Sequence, residues 1–372
     1  AMAADRDRRF MALALSLGQR GLGRVWPNPA VGCVLVQGNR IVGRGWTQPG
    51  GRPHAETVAL AQAGPAARGA TAYVTLEPCA HIGKTPPCAD ALVAAGVARV
   101  VVALTDPDPR VAGQGIARLR AAGITVDEGV GQAEALVAQR GFLMRVTEGR
   151  PLVTLKLATT LDARIATASG ESQWITGPEA RRAGHALRAS HDAVMVGAGT
   201  ARADDPTLTV RGLGTAHQPV RIVLARHLDL PSESRLFATL DEAPLWLVHL
   251  PEAPASARDA FAARGARLIP AARGPDGQLD PASVLRALGE AGLTRVYCEG
   301  GGALAASLLG AGLVDDLHVF TAGAAIGAEG RPSLGALGLD RLSEAPRLDL
   351  VRVRPVGPDI HSHWRRPWTL PG

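Results

Sequence analysis

Apolar positions recur along the chain in two series that alternate between helical and extended spacing. Phe10, Ala14 and Leu17 lie on one face of a predicted helix over residues 5–18. The apolar runs 31–36 and 41–45 flank Gly38 and Asn39, which predicts a hairpin. A helix is expected just after Pro53, with Pro53 and His54 in its first turn. Strand 70–76, helix 88–95, strand 99–104, helix 116–122 and one more short strand and helix, up to about Gly141, complete the first series. This is the pattern of an α/β sandwich.

Thr147, Glu148, Gly149, Arg150 and Pro151 are polar with Gly and Pro, so they predict a linker that divides the chain into residues 1–146 and 147–372. A second series follows, with strand 153–157, helix 178–189 and strands 193–197, 220–224, 245–249 and 295–298. The last of these strands are separated by helices. The segments near His318 and over 348–353 are strand-like with no helix between them, which predicts antiparallel additions to a mainly parallel sheet. No repeat of about 20 to 50 residues is present.

Composition narrows the class. Of 372 residues, 46% are hydrophobic and 20% charged, enough apolar material for packed cores and too little charge for a disordered chain. The uncharged stretch 300–314, which no other exceeds in length, is glycine-rich and shorter than the roughly 18 apolar residues of a membrane span. Ala1 ahead of Met2 is read as a cloning remnant, and residues 5–9 are too charged for a secretory leader, so a cytoplasmic enzyme is expected. The four cysteines fit a reducing compartment, as thiols or metal ligands. A net charge of +6 raises the question of nucleic acid. The arginines, however, are scattered among acids and aromatics make up 3%, so a small phosphorylated ligand suits the charge better. Only Lys84 and Lys156 are lysines among 40 basic residues.

His54, Cys79 and Cys88 offer one imidazole and two thiolates, a donor set zinc prefers, with a fourth position left for water. His54 and Glu56 are two apart and diverge by about 200° on a helix, so both serve one site only at a helix end. Glu56 then stands beside the water as a proton shuttle for hydrolytic deamination. His-x-Glu with Pro-Cys is the signature of zinc deaminases, with one departure: eight residues separate the cysteines, not two. Cys33 is expected to be a packed thiol. If Cys33 or His81 completed the ligand shell, the zinc would be structural. The loop 81–86 carries Lys84, either a substrate-phosphate ligand or part of an exposed polar loop.

In the second series Lys156 interrupts an apolar strand, where the plain expectation is an outward lysine. Residues 170–176 form a polar turn before a helix, and Thr200, Asp204, Asp205, Pro206 and Arg211 a polar loop after a strand. Loops at strand C-termini are where open α/β sheets bind ligands. Glu299, Gly300, Gly301 and Gly302 lead into a helix whose bare amides suit a pyrophosphate.

Taken in order, these motifs resemble the bifunctional riboflavin biosynthesis deaminase/reductase family over nearly the whole chain. The carrying segments are 27–33, His54-Ala55-Glu56, 75–79 with 85–88, Lys156-Leu157-Ala158, 169–176, 192–200, 204–211 and 299–302. The eight-residue cysteine spacing is also the family's. The resemblance implies a cytidine-deaminase-like α/β/α sandwich followed by a dihydrofolate-reductase-like α/β domain, with Zn²⁺ and NADPH as cofactors. The substrate would be a pyrimidine ribosyl phosphate, first losing its 2-amino group and then reduced from ribosyl to ribityl.

By position, His54, Cys79 and Cys88 would bind zinc, Glu56 would move the proton, and Asn28 would lie near the pyrimidine. Lys156, Ser172, Arg188, Leu208, Arg211 and Glu299 would contact the second substrate, with Arg188 and Arg211 as phosphate clamps. Lys156 would polarise the carbon that is reduced. Ala158, Trp174, Thr200, Asp204 and the turn of Gly301, Gly302, Ala303, Leu304, Ala305, Ala306 and Ser307 would contact NADPH.

Two departures are visible. Ala163 replaces the glycine of the family's Leu-Asp-Gly, and an Asp-Ser pair usual near Leu224 and Ala225 is absent. The family expectation is a homo-oligomer, dimer or tetramer, with neither nucleic acid nor membrane as partner. A nucleic-acid base deaminase, a zinc-stabilised binding module and, for the second half, a generic pteridine reductase are the competing classes.

Overall fold

The computed structural model describes residues 2–371; Ala1 and Gly372, the outer ends of the two expected domains, lie outside the described residues. Two compact units make up the chain, one running to Gly149 and including Leu370 and Pro371, the other Arg150–Thr369.

The first unit contains α1 (Met2–Gly18), β1 (Gly32–Gln37), β2 (Arg40–Trp46), α2 (Ala55–Ala63), β3 (Thr71–Val74), α3 (Cys88–Ala94), β4 (Arg99–Val102), α4 (Gln114–Ala121), β5 (Thr125–Glu128), α5 (Gln132–Ala138) and α6 (Arg140–Glu148). The strands are ordered β2-β1-β3-β4-β5. The hairpin β1–β2 turns at Gly38-Asn39, with Gln37 opposite Arg40. Strands β3, β4 and β5 run parallel to one another. Helix α1 is tied to the sheet by Asp7, whose carboxylate accepts the Tyr73 hydroxyl at 2.6 Å and the Arg99 guanidinium at 2.8 and 3.0 Å. Thr147 and Glu148, expected in a linker, instead close α6, because Gly149 takes the left-handed conformation (φ 74°) that ends a helix. The division therefore falls at Gly149–Arg150 and not at 147.

The second unit contains β6 (Leu152–Thr159), β7 (Arg164–Ala166), α7 (Pro178–Ala189), β8 (Ala193–Gly197), α8 (Ala198–Asp204), β9 (Val220–Leu224), α9 (Arg235–Ala238), β10 (Leu245–His249), α10 (Ala255–Ala263), β11 (Arg267–Pro270), α11 (Pro281–Glu290), β12 (Arg295–Cys298), α12 (Gly302–Gly310), β13 (Asp316–Thr321), β14 (Arg331–Pro332), β15 (Asp349–Val356) and β16 (Asp359–Arg365). Among the described residues its main sheet has nine strands, in the order β11-β10-β9-β8-β12-β6-β13-β16-β15. The first seven are parallel. The last two pair antiparallel; of the two late segments expected as antiparallel additions, 348–353 forms β15 and pairs so, whereas the segment near His318 forms β13, which runs parallel to β6.

Central strands such as β8 and β10 are buried on both faces, hence their unbroken apolar runs. Two buried carboxylates fasten the sheet's start. Asp192 accepts the Thr294 and Arg295 amides at 2.7 and 3.0 Å, and Asp315 pairs with Arg150 at 2.8 Å. The expected loop containing Thr200 and Asp204 is a helix, α8, whose Ala-rich run stops where Asp205 turns left-handed. No described helix is long and apolar enough to cross a membrane.

Candidate active sites

The ends of two helices and a strand loop meet in the first unit. His54 is the N-cap of α2, Glu56 lies in that helix's first turn, and Cys88 opens α3. Cys79 follows β3 on a loop held by two hydrogen bonds to the next helix. Its sulfur accepts the Cys88 N–H at 3.2 Å, and its carbonyl accepts the Ala89 N–H at 3.1 Å. The His54 Nδ1 stands 3.4 Å from the Cys88 Sγ and 3.9 Å from the Cys79 Sγ, and the three donor atoms lie within 4.8 Å of one another. Hydrogen bonds, first from Cys88, hold the Cys79 thiol down to about 4, and the same contact raises the Cys88 thiol. One imidazole and two sulfurs at this spacing fit a tetrahedral zinc with one place left for a small ligand.

Glu56 is buried, and burial pushes its carboxyl up from the ordinary value. It sits by a cavity of about 180 Å³ lined in part by Asn28, Arg52, His54, His81 and Asp106. Asn28 reaches this cavity because Gly51, at φ 89°, has no side chain: a Cβ there would overlap the Asn28 amide. Glu77 anchors the far wall, its carboxylate accepting the amides of Asp106, Gly113 and Ile116 at 3.0 to 3.1 Å. Neither Cys33 nor His81 joins the donor group: Cys33 is buried in β1 and His81 is exposed. Lys84 lies exposed on its loop, whereas Arg52 reaches into that loop and bonds the Thr85 hydroxyl at 2.9 Å.

In the second unit Lys156 on β6 is half-buried and not turned out to solvent. Burial lowers its amine, with Arg188 acting the same way and Glu299 opposing. Arg188 and Glu299 form a two-point ion pair at 2.9 and 2.7 Å, and Arg188 also donates to the Thr209 carbonyl at 2.9 Å. Much of the Arg188 fork is thus engaged with a carboxylate, which the expectation of a phosphate clamp did not include. Burial works to raise Glu299, but Arg188 and Lys156 outweigh it and its carboxyl ends below the ordinary value. His185, one helical turn before Arg188, accepts the Arg211 amide at Nδ1, 3.1 Å away, and burial with the charge of Arg188 holds it down to about 4. Arg211 itself is exposed. Leu208 has φ 57° and its side chain packs in the hydrophobic core, so only its main chain faces outward. Ser172 is half-buried and Trp174 is 68% exposed, with the Arg181 guanidinium 4.3 Å over its ring.

The glycine run after β12 forms the start of α12. Gly302 to Ser307 are helical, not a free turn, and Gly301 is the N-cap. The Gly301 N–H donates to the Thr200 hydroxyl at 3.1 Å, joining the starts of α8 and α12. A Cβ at Gly300 would come 2.8 Å from the Val196 Cα, so the chain passes there without a side chain. Ala303, Leu304 and Ser307 line a cavity of about 510 Å³ beside β8 and β9. Asp204 is exposed at the end of α8, its carboxyl raised by partial burial, and Ala158 is half-buried on β6. Bare amides at a helix start beside a cavity of this size suit a dinucleotide.

Arg52, Asp106, Glu77 and His185 were not singled out from sequence. His185 carried a signal, since three residues before Arg188 on one helix is the same face. The other three are brought in by tertiary contact.

Residues 4–104 match the model of the cytidine and deoxycytidylate deaminase zinc-binding region, and residues 151–362 match that of the RibD C-terminal domain. The chain is 43% identical to riboflavin biosynthesis protein RibD of Escherichia coli, covering 96% of this chain and 98% of that one. It is 40% identical to the Aquifex aeolicus RibD, covering 98% and 100%. Among solved structures, Acinetobacter baumannii RibD superposes with a TM-score of 0.88 at 38% identity, covering 97% and 99%. A Thermotoga maritima diaminohydroxyphosphoribosylaminopyrimidine deaminase/5-amino-6-(5-phosphoribosylamino)uracil reductase superposes with 0.84 at 34% identity, covering 98% and 99%.

Proposed function

Because the chain belongs to the RibD family, bifunctional deaminase/reductases of riboflavin biosynthesis, we propose that it performs the two reactions named for its Thermotoga relative. The first unit would remove the 2-amino group of the diaminopyrimidinone ribosyl phosphate. The second would reduce the ribosyl chain of the resulting aminouracil to ribityl with NADPH. The convergence of His54, Cys79 and Cys88 on one point, with buried Glu56 beside it, carries the proposal.

Zinc bound there supplies Lewis-acid activation of water. The residues do the rest. Glu56, in a dry setting that raises its carboxyl, takes a proton and returns it to the ring nitrogen and then to the departing amine. Asn28 orients the pyrimidine edge, and Arg52 with Lys84 faces the ribose phosphate. In the second unit NADPH supplies the reducing equivalent and would lie along Thr200, Gly301 and the first turns of α12. Lys156 holds a proton at its Nζ toward the oxygen or nitrogen borne by the carbon being reduced, while that carbon takes the hydride. Glu299 fixes Arg188, and Arg211 meets the phosphate.

A homo-oligomer is consistent with the edge strand β15, which exposes Leu350, Val351 and Val353. Four free thiols suit the cytoplasm.

The test is incubation with the diaminopyrimidinone phosphate, with and without NADPH, followed by mass spectrometry. Amine-to-oxygen exchange adds about one mass unit and reduction about two more. Glu56→Gln should retain zinc and lose deamination by about a hundredfold or more, while reduction of the deaminated substrate continues. Lys156→Ala should do the converse and accumulate deaminated product. Loss of reduction in Glu56→Gln, or full ribityl formation in Lys156→Ala, would overturn the assignment.

A further inference from the structure

Strand β9 leaves the sheet as Leu224-Ala225-Arg226-His227, which line the same cavity as Ala303, Leu304 and Ser307 of α12. Arg202 reaches the same cavity from α8. Both guanidinium groups are held by neutral main-chain acceptors, Arg226 by the Gly277 carbonyl at 3.2 Å and Arg202 by the Asp229 carbonyl at 2.8 Å. Among the described residues neither takes part in an ion pair. Each therefore keeps most of its donor fork for an anion. Of the two carboxylates on the wall, that of Asp276 accepts the Gln278 amide at 3.0 Å, and no hydrogen bond directs that of Asp229 toward either arginine.

Open parallel sheets bind nucleotides beyond the C-terminal ends of their strands. There an arginine accommodates the 2′-phosphate that marks NADP, whereas a carboxylate takes the 2′-hydroxyl of NAD. The Asp-Ser pair expected near Leu224 and Ala225 is missing, and the residue next along the chain is a positioned arginine.

We infer that Arg226, assisted by Arg202, reads the 2′-phosphate of the dinucleotide and so sets this chain's preference for NADPH over NADH. The inference rests on the proposal that this cavity seats NADPH. An arginine fork suits a phosphate dianion better than it suits a hydroxyl, and two of them, one on α8 and one just beyond β9, line the same cavity.

Titration calorimetry on the full chain, with NADPH, NADH, adenosine 2′,5′-bisphosphate and 5′-AMP as ligands, tests this directly. The unaltered protein should prefer the 2′-phosphorylated member of each pair. Arg226→Ala should weaken NADPH and the bisphosphate by about ten- to a hundredfold and leave NADH and 5′-AMP within about twofold. Arg202→Ala should show the same selectivity with a smaller loss, and Arg226→Lys should recover part of the affinity as a point charge. Thermal melting of each variant establishes that it is folded, and Arg202→Ala and Arg226→Lys carry the test if Arg226→Ala is not. Equal weakening of phosphorylated and unphosphorylated ligands, or no weakening of either, would overturn the role of the arginines while NADPH binding by the unaltered protein still upheld the seat. Failure of the unaltered protein to bind NADPH would remove the seat and the inference together.

Discussion

Ala163 stands at φ 59°, a conformation that costs an L-residue about 1 kcal/mol or more. It closes the turn between β6 and β7, donating to the Thr160 carbonyl and accepting the Ser333 amide, both at 3.0 Å. Its neighbour Asp162 is committed to the Thr160 hydroxyl and to the Gly327 and Ile326 amides, which hold its carboxyl at about 2. The turn cannot relax around the alanine without giving up these bonds. Ala163→Gly should therefore stabilise the protein by about 0.5 to 1 kcal/mol, offset in part by the entropy of the unfolded glycine, and raise the melting temperature by about 2 °C. A fall in calorimetric melting temperature would show that the alanine Cβ contributes packing that outweighs its strain. The position was legible only through the family resemblance, in which a glycine stands where this chain has Ala163. His54, Glu56, Cys79 and Cys88 were visible for a different reason, since their chemistry fixes residue type and spacing. Arg52 and Asp106 left no such mark, because only folding brings them to the cavity.

At the scale of elements, β13 and β16 bury a set of imidazoles between them. The His318 Nδ1 and His361 Nε2 share one hydrogen bond of 2.8 Å, His363 stacks on His318 at 4.0 Å, and Asp316 holds His363 at 2.7 Å. Burial, followed by the charge of neighbouring histidines, takes His318 down to about 2; burial, followed by Arg354, takes His361 down to about 4. Both are neutral when folded and become protonated near 6.5 when unfolded. Between those limits the unfolded chain binds more protons, so stability falls as pH drops below about 6.5, by up to about 1.4 kcal/mol per pH unit for each histidine. Denaturant unfolding at pH 7, 6 and 5 should show the loss, and His318→Phe with His361→Leu should flatten the slope. An unchanged slope would mean that other groups set the acid limit. The strand β16 that creates this pairing was not predicted, and neither was β11. Each is short or carries alternating polar residues, so neither forms the apolar run by which a buried strand is recognised. Helix α8 was read as a loop because its seven residues include Gly199 and the polar Thr200, Arg202 and Asp204, too brief a span for periodicity to show.

At the scale of the whole molecule, two sites of different chemistry occupy two compact units. The alternation of helix and strand shows this in sequence, and only the junction shifted, because a polar helix end and a linker share the same composition. Removing metal from the holoenzyme with a chelator should abolish deamination and leave reduction of the already deaminated substrate intact, with metal content and both products followed together. Parallel loss of both activities would contradict separate sites.

At the proposed reductase site the pairing of Arg188 with Glu299 would also fix what an arriving substrate feels. With His185 held neutral, Arg188, Arg211 and Lys156, when it carries its proton, stand against the one carboxylate of Glu299, a surplus of two positive charges. A phosphate monoester carries about −1.5 to −2 at neutral pH. The loaded site is then close to electroneutral, so its affinity should decline with ionic strength as for a two-charge encounter, and free sulfate should compete with substrate.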